Sequence, residues 1–326
     1  MAAVRVEVEK KPAREFEYRR RAPQDTAARK RQRMEAAVRG LPELKEWDPT
    51  QLPHGFFVVL EGKRRTGKST FAKWLLQWYQ KRFSLAWVMT HTKANGYWQG
   101  IVGDSFVFDG YRADAVARAI ARNDKIIARH GPDTPATLAA ASTLIIFDDC
   151  ITKEIYHDEM FVRLAVEGRH HCISVIFITQ DPKTVSPKVR DNCDVAVVFN
   201  QKTYRNKESM WHDFMNDVDK ETALALLARH AIDHNALVCV QTNLDGVIAK
   251  NFFASTGDKT QLQDPHYMLG GPEQVAIIRR EREEARLKKL RAQLEDKADK
   301  RPPREKTEAG GEAGEFTVDK ILSGFQ

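Results

Sequence analysis

Between Trp47 and Ala254 the chain alternates short, nearly uninterrupted apolar runs with longer stretches whose apolar residues recur every three or four positions. The runs predict strands over 55–60, 85–90, 144–148, 174–179, 195–199 and 237–241, and the longer stretches predict helices over 68–83, 112–129, 159–166, 207–215 and 220–230. Runs apolar on both of their faces suit strands covered on both sides, as in a parallel sheet flanked by helices. The expected fold class is therefore α/β, with a central, mostly parallel sheet.

The flanks read differently. Residues 1–46 are dense in Lys and Arg, including Arg19, Arg20 and Arg21, with few large apolar side chains, which predicts a basic extension. Residues 47–255 form the expected main domain. Residues 256–300 read as a connector and a charged helix near 273–297, and 301–326 as a flexible linker ending in the apolar peptide FTVDKILSGFQ. That last segment reads either as a docking peptide or as a terminal helix folded back on the chain's own core.

Composition narrows the class without naming a reaction. Of the 326 residues, 42% are hydrophobic and 30% charged, within the range of globular proteins. The formal charge of +7 favours an anionic partner, with nucleic acid the first expectation. Cys150, Cys172, Cys193 and Cys239 are too scattered for a CxxC zinc or redox centre and are expected as buried thiols. An N-terminus without an apolar signal core and the lack of a long apolar run predict no secretion signal and no membrane span. An intracellular protein is expected.

Chemistry enters at HGFFVVLEGKRRTGKSTFAKWLL, where a strand runs into GxxxxGK plus Ser or Thr and then into a helix. That is the strand, loop and helix context of a phosphate-binding loop for ATP with Mg²⁺. The loop comprises Gly62, Lys63, Arg64, Arg65, Thr66, Gly67, Lys68, Ser69 and Thr70. Gly62 and Gly67 allow the bend that turns backbone N–H groups toward phosphates, Lys68 reaches the β and γ phosphates, and Ser69 offers its hydroxyl to Mg²⁺. Among the extra cations, Lys63 and Arg64 are placed ahead of Arg65 as the one expected to act on the γ-phosphate.

Two further strands end in polar residues of the right kind. TLIIFDDC delivers Asp148 and Asp149, the first expected in the magnesium shell, through water, and the second as general base for an attacking water. ISVIFITQD delivers Gln180, a neutral amide able to orient water or sense the γ-phosphate. Ligands bind at the carboxyl ends of strands in open α/β sheets, so all three ends are expected on one edge.

Together, GKRRTGKS, LIIFDDC, GRHHCISVIFITQD and SPKVRDNCD, between Phe56 and Asn200, resemble the FtsK–HerA branch of P-loop ATPases. More narrowly, they resemble the poxvirus-type genome-packaging ATPases of large double-stranded DNA viruses. The resemblance implies a RecA-like sheet with the Gln-bearing strand between the other two site strands. It implies a homo-oligomeric ring of five or six subunits that threads duplex DNA, with Arg169 offered in trans to a neighbour's nucleotide and Arg190 in a second family block. Capsid or portal proteins, and a setting in the host cytoplasm or viral factory, follow from the same resemblance. The chain departs from many relatives in having Asp149 where they carry Glu, and in its basic loop. Outside that resemblance, a nucleoside or nucleotide kinase and a slowly hydrolysing ATP switch are the competing expectations.

Overall fold

The computed structural model describes residues 44–152, 155–181, 186–216, 218–241, 251–254, 264 and 266–299. The basic arm before Leu44, the linker and the C-terminal apolar peptide lie outside them. Eight strands form one sheet: β1 (Phe57–Glu61), β2 (Leu85–Thr90), β3 (Val107–Asp109), β4 (Thr143–Asp148), β5 (Ile173–Thr179), β6 (Val195–Val198), β7 (Leu237–Val240) and β8 (Asn251–Ala254). Their order is β3-β2-β4-β5-β1-β6-β7-β8. Pairing is parallel from β3 through β6, and β7 and β8 join antiparallel. β5 lies between β4 and β1, the arrangement that the family resemblance implies.

Alternate residues of the central strands enter two separate cores, because successive strand side chains point to opposite faces. Phe57, Val59, Ile145, Phe147, Val175 and Phe177 join one, while Val58, Leu60, Leu144, Ile146, Ile176 and Ile178 join the other. Nine helices lie among the described residues: α1 (Lys68–Leu76), α2 (Gln99–Val102), α3 (Ala113–His130), α4 (Pro135–Ala141), α5 (Glu159–Glu167), α6 (Pro187–Asp191), α7 (Tyr204–Phe214), α8 (Lys220–His230) and α9 (Pro272–Asp299). Helix α3 buries Ala115, Val116, Ala119, Ile120 and Asn123 at helical spacing. Its one buried amide is satisfied, since Asn123 Nδ2 donates to the His171 carbonyl at 2.7 Å and to Thr143 Oγ1 at 3.1 Å.

Capping explains several helix starts. Asp158, Thr203 and Asp219 accept the N–H groups of Phe161, Asn206 and Thr222 at the heads of α5, α7 and α8. Helix α1 is different: Gly67 stands at its N-cap with φ 96° and no side chain caps it. Its first N–H groups are left for something else.

The predicted helix over 68–83 is shorter than the pattern suggests, ending at Leu76 and tightening into a 3₁₀ turn over Gln77–Tyr79. The Tyr79 hydroxyl donates to the Pro49 carbonyl and accepts from Leu52 N–H, and Arg82 Nη1 donates to the Leu52 carbonyl at 2.8 Å. These bonds turn the chain toward β2. Strands β3 and β8 and helices α2, α4 and α6 were not predicted. One compact unit ends at Arg279. Within it Tyr267, Leu269 and Ile278 are buried, and Gln274 bonds both the N–H and the carbonyl of Ala86. The second unit begins at Arg280; its described part is the charged remainder of α9.

Candidate nucleotide site

Strands β1, β4 and β5 end side by side, with Glu61 level with Thr179 and Asp148 level with Ile178. Beyond these ends the 62–67 loop turns over the head of α1. Gly62 is required by space, since a Cβ there would come within 2.5 Å of Phe199 Cβ. Gly67 is required by conformation, since its φ of 96° is costly for any side-chain-bearing residue. A loop of this shape running into an uncapped helix start presents converging N–H donors, the chemistry that holds a phosphate.

The side chains sort themselves around that turn. Lys68 is buried, and its Nζ donates to the carbonyls of Gly62 at 2.7 Å and Lys63 at 3.0 Å, so the ammonium rests on the loop it would leave for a phosphate. Ser69 Oγ donates to Asp148 Oδ1 at 3.4 Å, bringing a hydroxyl and a carboxylate together. Gln180 Nε2 donates to Asp149 Oδ2, linking the two residues expected to handle water. Asp149 holds a left-handed backbone with φ 53°, and its N–H donates to the Ile178 carbonyl at 3.0 Å. A strained non-glycine residue at a strand end is the kind of conformation that active sites retain.

These groups surround a cavity of about 340 Å³ whose wall includes Lys68, Ser69, Thr70, Asp148, Asp149 and Gln180. Arg64 and Arg65 also line it, while Lys63 contributes its carbonyl and leaves its side chain exposed and outside the wall. The poxvirus A32 protein family matches residues 47–250, well over half of the chain. The chain belongs to that family. The family resemblance read from the motifs is thus borne out.

Individual relatives of this A32-family chain are distant. "Uncharacterized protein 015R" of Frog virus 3 (isolate Goorha) is 29% identical over 157 residues, covering 47% of this chain and 47% of the relative. The match therefore spans about half the length of that relative. "Uncharacterized protein 075L" of Invertebrate iridescent virus 6 is 25% identical over 186 residues, 56% of this chain and 69% of the relative. Among solved structures, the genome packaging NTPase B204 from Sulfolobus turreted icosahedral virus 2 in complex with ATP-gammaS is similar at 15% identity. That likeness has a TM-score of 0.40 and covers 64% of this chain and 98% of that one.

Burial sets the electrostatics of the A32-family site. Desolvation lowers Lys68 to about 8, opposed by the charges of Asp149, Asp148 and Glu61. Burial raises Asp148, opposed first by the hydrogen bond from Trp98. Glu61, fully buried at the root of the loop with neither carboxylate oxygen hydrogen-bonded among the described residues, is pushed up to about 8 by desolvation. A phosphate chain arriving here would relieve Lys68 by giving it a charged partner.

Arg169 is not among these groups. It sits in the turn before β5 at the opposite end of the sheet, packed so closely on Gly55 that a Cβ there would lie 2.7 Å from its Cα. Seven residues of β5 separate it from Gln180, a rise of roughly 20 Å. Arg169 and Arg190 line a different cavity of about 440 Å³, where Arg190 Nη1 pairs with Asp213 Oδ1 at 3.1 Å.

Sequence reasoning missed one wall altogether. Thr92, Asn95 and Tyr97, in the segment after β2, line the cavity, and the Tyr97 hydroxyl lies 3.5 Å from Thr70 Oγ1. The adjacent Trp98 is buried against Asp148. The clue was available: β2 is an apolar strand, and its carboxyl end must open on the same edge as those of β4 and β1. All four cysteines are free and buried, as expected, and no described helix is long and apolar enough to cross a membrane.

Proposed function

We propose that this A32-family chain is an ATPase that drives double-stranded viral DNA into a preformed capsid, working as a homo-oligomeric ring of five or six subunits. The observation that carries the ATPase part is the convergence of Lys68, Ser69, Asp148, Asp149 and Gln180 on one cavity at the carboxyl edge of the sheet. Family membership supports the packaging part.

The residues present fit ATP with Mg²⁺. The uncapped head of α1 and the glycine turn suit the phosphates, and the Ser69 hydroxyl beside the Asp148 carboxylate supplies hard oxygen donors. When bound, Mg²⁺ neutralises charge on the β and γ oxygens.

The chain's own residues do the rest. Lys68 exchanges the Gly62 and Lys63 carbonyls for phosphate oxygens, a gain because those carbonyls are uncharged. Asp149 Oδ atoms accept the proton of the attacking water, and Gln180, bonded to Asp149, holds that carboxylate while its own carbonyl oxygen remains to orient the water. Arg64 and Arg65 border the cavity and are the cations of the loop suited to the γ-phosphate. Arg169 lies at the far edge from its own loop, which supports a role toward a neighbouring copy. The net positive charge favours a phosphate-backbone grip independent of base sequence, and capsid or portal proteins are the proposed docking partners.

The test is ATP hydrolysis by the purified full chain with and without duplex DNA, at low and moderate salt. Stimulation by duplex of unrelated sequences, weakening as salt rises, is expected. ATP turnover indifferent to duplex DNA at every salt would overturn the translocation reading while leaving the ATPase reading in place.

A further inference from the structure

The segment after β2 does more than close the cavity. Trp98 is almost wholly buried at 1% exposure, and its Nε1–H donates to Asp148 Oδ2 at 2.8 Å. The other oxygen of the same carboxylate, Oδ1, is the one that faces Ser69 Oγ. The two oxygens of Asp148 therefore have different tasks imposed by different elements.

The indole is firmly seated. The backbone carbonyl of Trp98 accepts from Ile101 N–H of α2 at 2.9 Å, and the Ile101 carbonyl in turn accepts from Leu269 N–H at 2.9 Å. Gln274 Nε2 donates to the Val102 carbonyl at 2.9 Å, tying α2 to the head of α9. On the other side, the Tyr97 ring meets Trp98 edge-on at 5.4 Å and carries Lys73 Nζ 3.5 Å from its centre. Such a mount gives the N–H a fixed direction, and a charge-assisted bond to a carboxylate in a buried place is a strong one.

We propose that Trp98 is a positioning residue for the magnesium-side acid: its indole N–H holds Oδ2 of Asp148 and so presents Oδ1 alone beside the Ser69 hydroxyl. This rests on the ATPase reading above. A carboxylate with one oxygen held in this way offers the metal shell a single oxygen. That suits Mg²⁺, which requires near-octahedral geometry and keeps several waters that such an oxygen can hold. Trp98 thereby acts on metal binding through Asp148 without touching substrate.

The experiment reads binding, not turnover. Mg²⁺ is titrated into the full chain with a fluorescent ATP analogue held at fixed concentration, and the analogue is titrated separately without metal, for the unmodified chain and for Trp98→Phe. The half-saturating Mg²⁺ concentration is expected to rise about 10-fold or more, the usual cost of losing a group that orients a metal ligand. Affinity for the analogue without metal should be unchanged. Benzothienylalanine at position 98 keeps the bicyclic shape and deletes only the donor, so it serves if the smaller ring disturbs folding; it should give the same rise. An unchanged Mg²⁺ requirement in the benzothienylalanine protein overturns the inference, as does an equal loss of affinity with and without metal. Failure of the unmodified chain to bind the analogue at all would instead bring down the ATPase reading, and this inference with it.

Discussion

Glu61 should make the protein less stable as the solution becomes more alkaline, and Glu61→Gln should remove that dependence. The carboxyl is buried at the end of β1 with no hydrogen-bond partner among the described residues, and its pKa rises from the ordinary value of 4.5 to about 8. Desolvation is the main cause, Asp213 of α7 and Asp181 after β5 add to it, and Arg190 of α6 and Lys68 of α1 oppose it. In the unfolded chain the carboxyl ionises near 4.5, whereas in the folded chain it stays protonated to about 8. Between those values the unfolded state holds fewer protons, so stability falls as pH rises, and the fall stops once the folded state ionises too. Each pH unit of that window carries about 1.36 kcal/mol, which gives roughly 5 kcal/mol across it and about 2 kcal/mol by pH ~6. Urea unfolding of the unmodified chain and Glu61→Gln at matched pH values measures this directly. The difference between the two should widen from about pH 5 to about pH 8 and then level off. Parallel curves over that range would refute the reasoning, because they would mean that Glu61 ionises in the fold as easily as it does in water.

Other expectations concern the site. Asp149→Asn should lower ATP turnover by about 10² to 10⁴ while leaving binding of the nucleotide analogue intact, as read by single-turnover hydrolysis beside equilibrium binding. Gly62→Ala should abolish nucleotide binding, since the added methyl meets Phe199 at 2.5 Å; calorimetry with ATP distinguishes this from unfolding followed by circular dichroism. Arg169→Ala should leave nucleotide affinity near normal and stop turnover, and mixing it with Lys68→Ala protein should restore some activity if the arginine serves a neighbouring subunit. A mixture as inactive as its parts would argue against service in trans.

Much of this was legible because a strand covered on both faces has little freedom in composition. β1, β4 and β5 stand out as FVVLE, TLIIFD and ISVIFIT, and the polar residues that follow them fall on the edge where the loop lies. β3, by contrast, is three residues long and pairs with β2 alone, so it leaves no periodic trace. The end of α1 was misjudged because residues 77–83 are acceptable in a helix. The bonds from Tyr79 and Arg82 to residues 49–52 are non-local and decide otherwise. Trp98 escaped notice for a related reason: nothing near it in sequence announces that its partner lies 50 residues away. Nothing in the sequence singles out Glu61, and only the packing reveals that it is sealed in.

The close seat of Arg169 on Gly55 gives β1 two ends with two audiences. At one end the strand runs straight into the loop that meets the chain's own nucleotide, and at the other it abuts the turn that carries Arg169. The strand is five residues long and hydrogen-bonded on both sides, to β5 and β6. In a ring built as proposed, a displacement of the loop on binding or release would be felt directly by the arginine directed at the next subunit. News of each subunit's nucleotide would then travel around the ring in one rotational sense, through a single short strand.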